Sequence, residues 1–243
     1  RKESSAASDV YKRQIMNFKY KIIRNVFPKK LCQSLIKKTE ISLKIQKKEL
    51  NKYRRSKTYY GELMNPFIYD PKFYQLLLNK KIHKELDRII GKNHQLNMFT
   101  ILKKNPGEIL RNDKLHIDGK QELKDLKKTL QLNLIISLTH SNKFIGTTLL
   151  NLKNKKLLVS LNPGDCLIYN SFLKHKGTKN YSNFPRYMAG INIIPHFMKP
   201  RFNYFELTNK NIKNIILKKI LGYNFRPPKN FKEFFKKKSY ILT

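Results

Sequence analysis

At 243 residues and 40% hydrophobic content the chain can bury one sizeable core, and no apolar run approaches the roughly 18 residues that a membrane-spanning helix requires. Lys+Arg of 52 against Asp+Glu of 16 gives a formal charge of +36, yet only 10 of the 52 are arginine and the lysines run from end to end, so a solvated lysine coat outweighs a dedicated nucleic-acid face. Two cysteines, Cys32 and Cys166, rule out a thiolate zinc site made by this chain alone, and without an export signal they read as buried thiols of a cytoplasmic protein.

Residues 1–15 are rich in Ser and Ala where the remainder is rich in Lys, Asn and Ile. They read as a non-native or disordered leader, with Met16 as the natural start and 16–243 as a single domain. Phe18, Tyr20 and Ile22 alternate with polar neighbours and predict a strand. Pro28 suits the first turn of a helix that runs to about Asn51, although Leu31, Leu35, Ile36, Ile41, Leu43 and Ile45 keep helical spacing only in part. A second helical region is expected over Pro71 to Ile90, stopped by Gly91.

After Gly91 the texture changes to short apolar runs broken by Asn, Gly and Pro: Met98 to Leu102, Leu130 to Leu138, Thr147 to Leu152, Leu157 to Leu161, Cys166 to Tyr169 and Tyr187 to Ile194. That rhythm predicts a β-sandwich or barrel. From Asn209 helical spacing returns through Ile212, Ile215, Ile216 and Ile220, and Pro227 and Pro228 lead into a basic tail.

Chemistry concentrates at four positions. His116 and Asp118 are two residues apart, and in extended backbone their side chains aim at the same side. Such a pair arises by chance about one time in six in a chain of this composition, so it needs company. Asn162-Pro163-Gly164-Asp165 reads as a turn, Cys166 to Tyr169 as a buried strand, and His175 follows at the sheet edge as a third ligand. Eleven residues later Arg186 opens an apolar strand whose even positions share one face, and an inward arginine requires an anion. Asp165, by contrast, has a sufficient backbone reason at its turn, and His83, His94, His140 and His196 read as packing or surface histidines.

The order H-x-D, Gly164-Asp165 strand, distal His175 and Arg186 resembles the Fe(II)- and 2-oxoglutarate-dependent oxygenases, and most of all their phytanoyl-CoA dioxygenase-like branch. The likeness spans Asn17 to Ile194, since Asn105-Pro106-Gly107 ahead of the H-x-D also matches in order. It implies a mainly β fold with flanking helices around a double-stranded β-helix, a jelly roll of cupin type. It further implies Fe(II) on His116, Asp118 and His175 and 2-oxoglutarate on Arg186, with dioxygen and a small molecule as the other reactants. Many relatives carry a Ser two residues after the arginine where this chain has Met188, so Thr148 or Asn133 is expected to complete the co-substrate contact. AlkB-type nucleic-acid demethylases resemble the chain less, because Asn192 stands where a second arginine would. A non-catalytic cupin-like metal protein and a basic nucleic-acid-binding protein remain the alternatives.

Overall fold

The alternating segment that opens the described chain forms β1 (Tyr20–Ile23), and Pro28 then starts α1 (Lys29–Leu50). In this computed structural model residues 18–53, 61–119, 130–153, 155–208, 211–225, 227 and 230–236 are described; the leader and the end of the basic tail lie outside them. The imperfect apolar spacing of α1 has a reason. Its buried stripe is Cys32, Leu35, Thr39, Ser42 and Gln46, while Ile41 and Ile45 are 62% and 44% exposed. Gln46 ties the helix to β2 (Glu62–Met64), donating to the Glu62 carbonyl at 2.7 Å and accepting from the Met64 N–H at 2.7 Å.

The helical region expected over Pro71 to Ile90 is two pieces. A 3-10 segment, Pro71–Leu77, gives way to α2 (Lys80–Ile90), because the Asn79 side chain accepts from the Lys81 and Ile82 N–H groups and begins a new helix there. Gly91 closes α2 with φ of 93°, a conformation that glycine adopts without strain.

The remaining strands are β3 (His94–Lys104), β4 (Leu132–Ser137), β5 (Thr148–Leu152), β6 (Lys155–Val159), β7 (Cys166–Asn170), β8 (Lys174–Gly177) and β9 (Arg186–Pro195), followed by short helices α3 (Tyr204–Leu207), α4 (Ile215–Ile220) and α5 (Phe231–Lys236). They form a six-stranded sheet in the order β1-β7-β4-β9-β3-β2 and a three-stranded sheet in the order β6-β5-β8, with antiparallel pairing throughout. The expected β-rich core with flanking helices is therefore present. β8 has no apolar run to announce it: only His175 is buried among its lysines.

The period of two sorts the large sheet into faces. On β9, Tyr187, Ala189, Ile191 and Ile193 join a core shared with α1, α2 and the 3-10 segments. Met188 instead packs with Ile135, Leu150, Leu152, Leu161 and Tyr169 between the two sheets. The site lies on that inner face. Both cysteines are buried and unpaired, as the sequence suggests.

Asp165 locks the entry to β7. With Pro163 second and Gly164 at φ of 90° third, the turn has the residues of a type II turn, closed by the Asp165 N–H on the Asn162 carbonyl at 3.0 Å. The carboxylate accepts from the Asn25 N–H at 2.9 Å, the Asn162 N–H at 2.9 Å and the Arg24 guanidinium at 2.6 Å. Burial opposes its charge, but these donors outweigh burial and hold the pKa below the ordinary aspartate value. Asp165→Ala is expected to cost about 2 kcal/mol in urea unfolding, because two backbone N–H groups and the Arg24 guanidinium lose a charged, buried acceptor. Because the folded pKa is lowered, that contribution is complete above the unfolded value near ~3.9 and fades as pH falls below it, so the variant and the parent converge in stability in acid.

Candidate metal centre

His116 and His175 are brought together by backbone pairing before any ligand is considered. Each donates its N–H to the other's carbonyl, at 3.0 and 2.9 Å, as an isolated antiparallel bridge. The two rings stand 4.3 Å apart between centroids. Asp118, two residues on, is clamped by its own N–H on the Ser171 carbonyl at 3.0 Å and by the Gln131 amide on its carbonyl at 3.1 Å. The ligand atoms of His116, Asp118 and His175 all lie within 4.8 Å of one another, and among the described residues no other His, Cys, Asp and Glu group is so arranged.

The imidazoles are oriented by a repeated local device. Nδ1 of His116 faces the Lys114 carbonyl at 2.7 Å, and Nδ1 of His175 faces the Leu173 carbonyl at 2.9 Å. A carbonyl only accepts, so the proton resides on Nδ1 and the Nε2 lone pair points inward. Those Nε2 atoms lie 3.5 and 3.3 Å from the two Asp118 oxygens. Burial raises the Asp118 pKa, but its contacts with His175, with His116 and with the Asn133 amide prevail and keep it below the ordinary carboxylate range. Two nitrogens and one carboxylate, without thiolate, form a donor set suited to an octahedral divalent ion with open positions, Fe(II) included.

Behind Asp118 stands a buried amide network. Asn133 donates to Asp118 Oδ2 at 2.8 Å and accepts from Asn192, which also donates to Ser171 Oγ at 3.3 Å. Asn192 Oδ1 in turn accepts from Gln131 at 3.1 Å and Asn97 at 2.8 Å. Asn133, expected as a co-substrate contact, thus has its amide engaged by the carboxylate ligand.

All six residues singled out in the sequence line one cavity of about 350 Å³ between the sheets. Thr148 sits on its wall opposite Gly177, 6% exposed. Arg186 is 4% exposed, and among the described residues its Nε and Nη1 have no hydrogen-bond partner. Burial depresses its pKa to about 10, against the nearby Asp113 carboxylate that raises it. Gly146 makes the room: a Cβ there would stand 2.8 Å from Arg186 Nη1.

Directly across the β3 and β9 ladder from Arg186 lies Lys104, which is fully buried. Its ammonium bonds both oxygens of Asp113 and the Thr178 carbonyl at 2.9 Å. Burial lowers the Lys104 pKa, Asp113 raises it, and Arg186 pushes it down again. Two buried cations therefore share one carboxylate. Neither Lys104 nor Asp113 is conspicuous in a sequence so rich in lysine; the available signal was the parity of Lys104 with Met98, Thr100 and Leu102, which line the same cavity.

The sequence matches no protein-family model and no curated protein. In fold it is similar to a nickel complex of ThoJ, a non-heme monooxygenase, at TM-score 0.60, 11% identity and 80% coverage of each chain. HygX from Streptomyces hygroscopicus with nickel and 2-oxoglutarate bound gives TM-score 0.56 at 14% identity, over 75% of this chain and 85% of that one. SnoK, a non-heme alpha-ketoglutarate-dependent carbocyclase of nogalamycin biosynthesis, gives 0.58 at 14%, over 77% and 83%. At this identity the likeness establishes a shared fold.

The amide network makes a direct prediction. Asn133→Leu removes the donor that holds Asp118 Oδ2, so the affinity for Ni(II) or Co(II) measured by calorimetry should fall about 10- to 100-fold with the fold intact by circular dichroism.

Proposed function

We propose that the chain is an Fe(II)- and 2-oxoglutarate-dependent oxygenase on a double-stranded β-helix, of the phytanoyl-CoA dioxygenase-like type, that hydroxylates a C–H bond of a small molecule. The observation that carries this reading is the buried guanidinium of Arg186 with two unpartnered donors, in the same cavity as two histidines and a carboxylate. A structural metal site of cupin type has no use for such a cation. A dicarboxylic co-substrate does: one carboxylate completes the charge around Arg186 and Lys104, and the 2-oxo acid end reaches the metal. The fold that the chain shares with HygX, which binds nickel and 2-oxoglutarate, supports the same assignment.

In this reading His116, Asp118 and His175 hold the ion through Nε2, a carboxylate oxygen and Nε2. Iron there would supply dioxygen activation coupled to oxidative decarboxylation of 2-oxoglutarate to succinate and CO₂, one oxygen atom entering succinate and the other the substrate. Arg186 binds the distal carboxylate in a planar two-point contact, and Thr148 on the opposite wall supplies a hydroxyl where Met188 offers none. Asn133 positions Asp118. Tyr169, packed edge-on against His175 at 4.9 Å, keeps water from the inner side of that ring.

Anaerobic addition of Fe(II) and 2-oxoglutarate should produce a visible metal-to-ligand charge-transfer band. His175→Ala should abolish the band. Arg186→Gln should retain metal affinity while weakening 2-oxoglutarate by at least about tenfold, the loss expected for a charge-assisted pair in a buried site. A wild-type protein that gives no band, or an Arg186→Gln variant with unchanged 2-oxoglutarate affinity, overturns the reading.

A further inference from the structure

The cavity has a second arginine. Arg201 lines it at the end remote from Arg186 and also borders a neighbouring cleft of about 420 Å³, and Asp118 is likewise shared between the two. Strand register measures the separation: Arg186 lies opposite Lys104 on β3, whereas Arg201 contacts Met98, six residues along the same strand, or about 20 Å. The two cations cannot serve one small anion.

Among the described residues no carboxylate forms an ion pair with Arg201, and its guanidinium meets the Met98 sulfur at 3.4 Å. Its backbone, however, is fixed, with the N–H donating to Asn97 Oδ1 at 2.9 Å. Asn97 donates in turn to Asn192, the centre of the amide network that ends on Asp118. The rim arginine is thus registered to a metal ligand through three amide side chains. The cleft beside it adds Lys199 and an apolar lining from Ile194, Met198 and Pro200. Glu62, an acid on the wall of the inner cavity, has partners of its own.

We propose that Arg201 is the substrate-recognition cation, and that the substrate is a small organic anion whose carboxylate or phosphate pairs with Arg201 while its apolar body lies along Met98 and Ile194 toward the metal. Guanidinium matches either anion bidentately, and the thioether and aliphatic side chains suit an alkyl or aryl body. This rests on the oxygenase reading above, and it adds the substrate class. It also separates two duties: the buried arginine takes the co-substrate and the exposed one selects the substrate.

Protein loaded with Ni(II) and 2-oxoglutarate does not turn over, so binding is measured alone. Hexanoate, hexyl phosphate and hexylamine are titrated in about 0.15 M salt, which screens the general surface charge, and followed by ligand-observed NMR. At least one anion should bind, with alkyl protons broadened by the nickel and 2-oxoglutarate still bound, whereas hexylamine should not. The tighter anion identifies the acid group. Arg201→Gln should weaken binding at least tenfold, Arg201→Lys should restore part of it, and Lys30→Gln, the same charge removed from α1, should change nothing. Equal affinity in Arg201→Gln, comparable binding of hexylamine, or no binding of either anion overturns the proposal. Failure to load nickel and 2-oxoglutarate at all overturns the oxygenase reading instead.

Discussion

A guanidinium held out of water, with no ion pair of its own among the described residues, is the constraint on which the site depends. Charge in a low-dielectric interior costs several kcal/mol unless paired, and Arg186 is buried beside a second buried cation, Lys104, whose partner is the Asp113 carboxylate. The surroundings are fitted to that arrangement. Gly146 leaves space at Nη1, and Asp113 lies on the segment three residues before His116. The ion pair with Lys104 therefore fastens the loop that carries His116 and Asp118 to the long strand β3, so the Arg186 end and the histidine end of the cavity are held by one electrostatic junction.

The histidine end is made rigid by hydrogen bonds, most of them between neutral groups. Backbone pairing fixes the distance between the histidines, their Nδ1 atoms are turned outward onto carbonyls, and four amides and a serine secure Asp118 and its neighbours. These bonds orient the three side chains through the protein's own groups, so binding an ion needs little reordering of them. They also explain why so many Asn and Gln side chains are buried on the inner face of an otherwise aliphatic sheet. Each is satisfied by another, and an apolar replacement at one position orphans the next.

Much of this was legible in the sequence because parity survives folding. His116 and Asp118 share a side, the even positions of β9 face inward, and the apolar runs became strands with small shifts at their ends. What escaped notice did so for physical reasons. β8 has a single buried side chain, so no hydrophobic pattern marks it. α1 buries Thr39, which bonds its own turn, Gln46, which bonds the β2 edge, and Ser42 between them, while isoleucines on its other side stay in solvent. The break at Asn79 is a cap that periodicity does not report. Lys104 was invisible because, in a chain with this charge, one more lysine carries no signal.

The reciprocal bonds between His116 and His175 restrict which length changes the gene can accept. Successive side chains on a strand point to opposite sides, so inserting one codon between Asp113 and His116 would either break the Lys104 pair or present Leu115 and Ile117 where His116 and Asp118 now stand. Gly119 closes this run with its own N–H on the Ser171 carbonyl, beside that of Asp118. In descendants of this gene the stretch from Asp113 to Gly119 is therefore confined to point substitution.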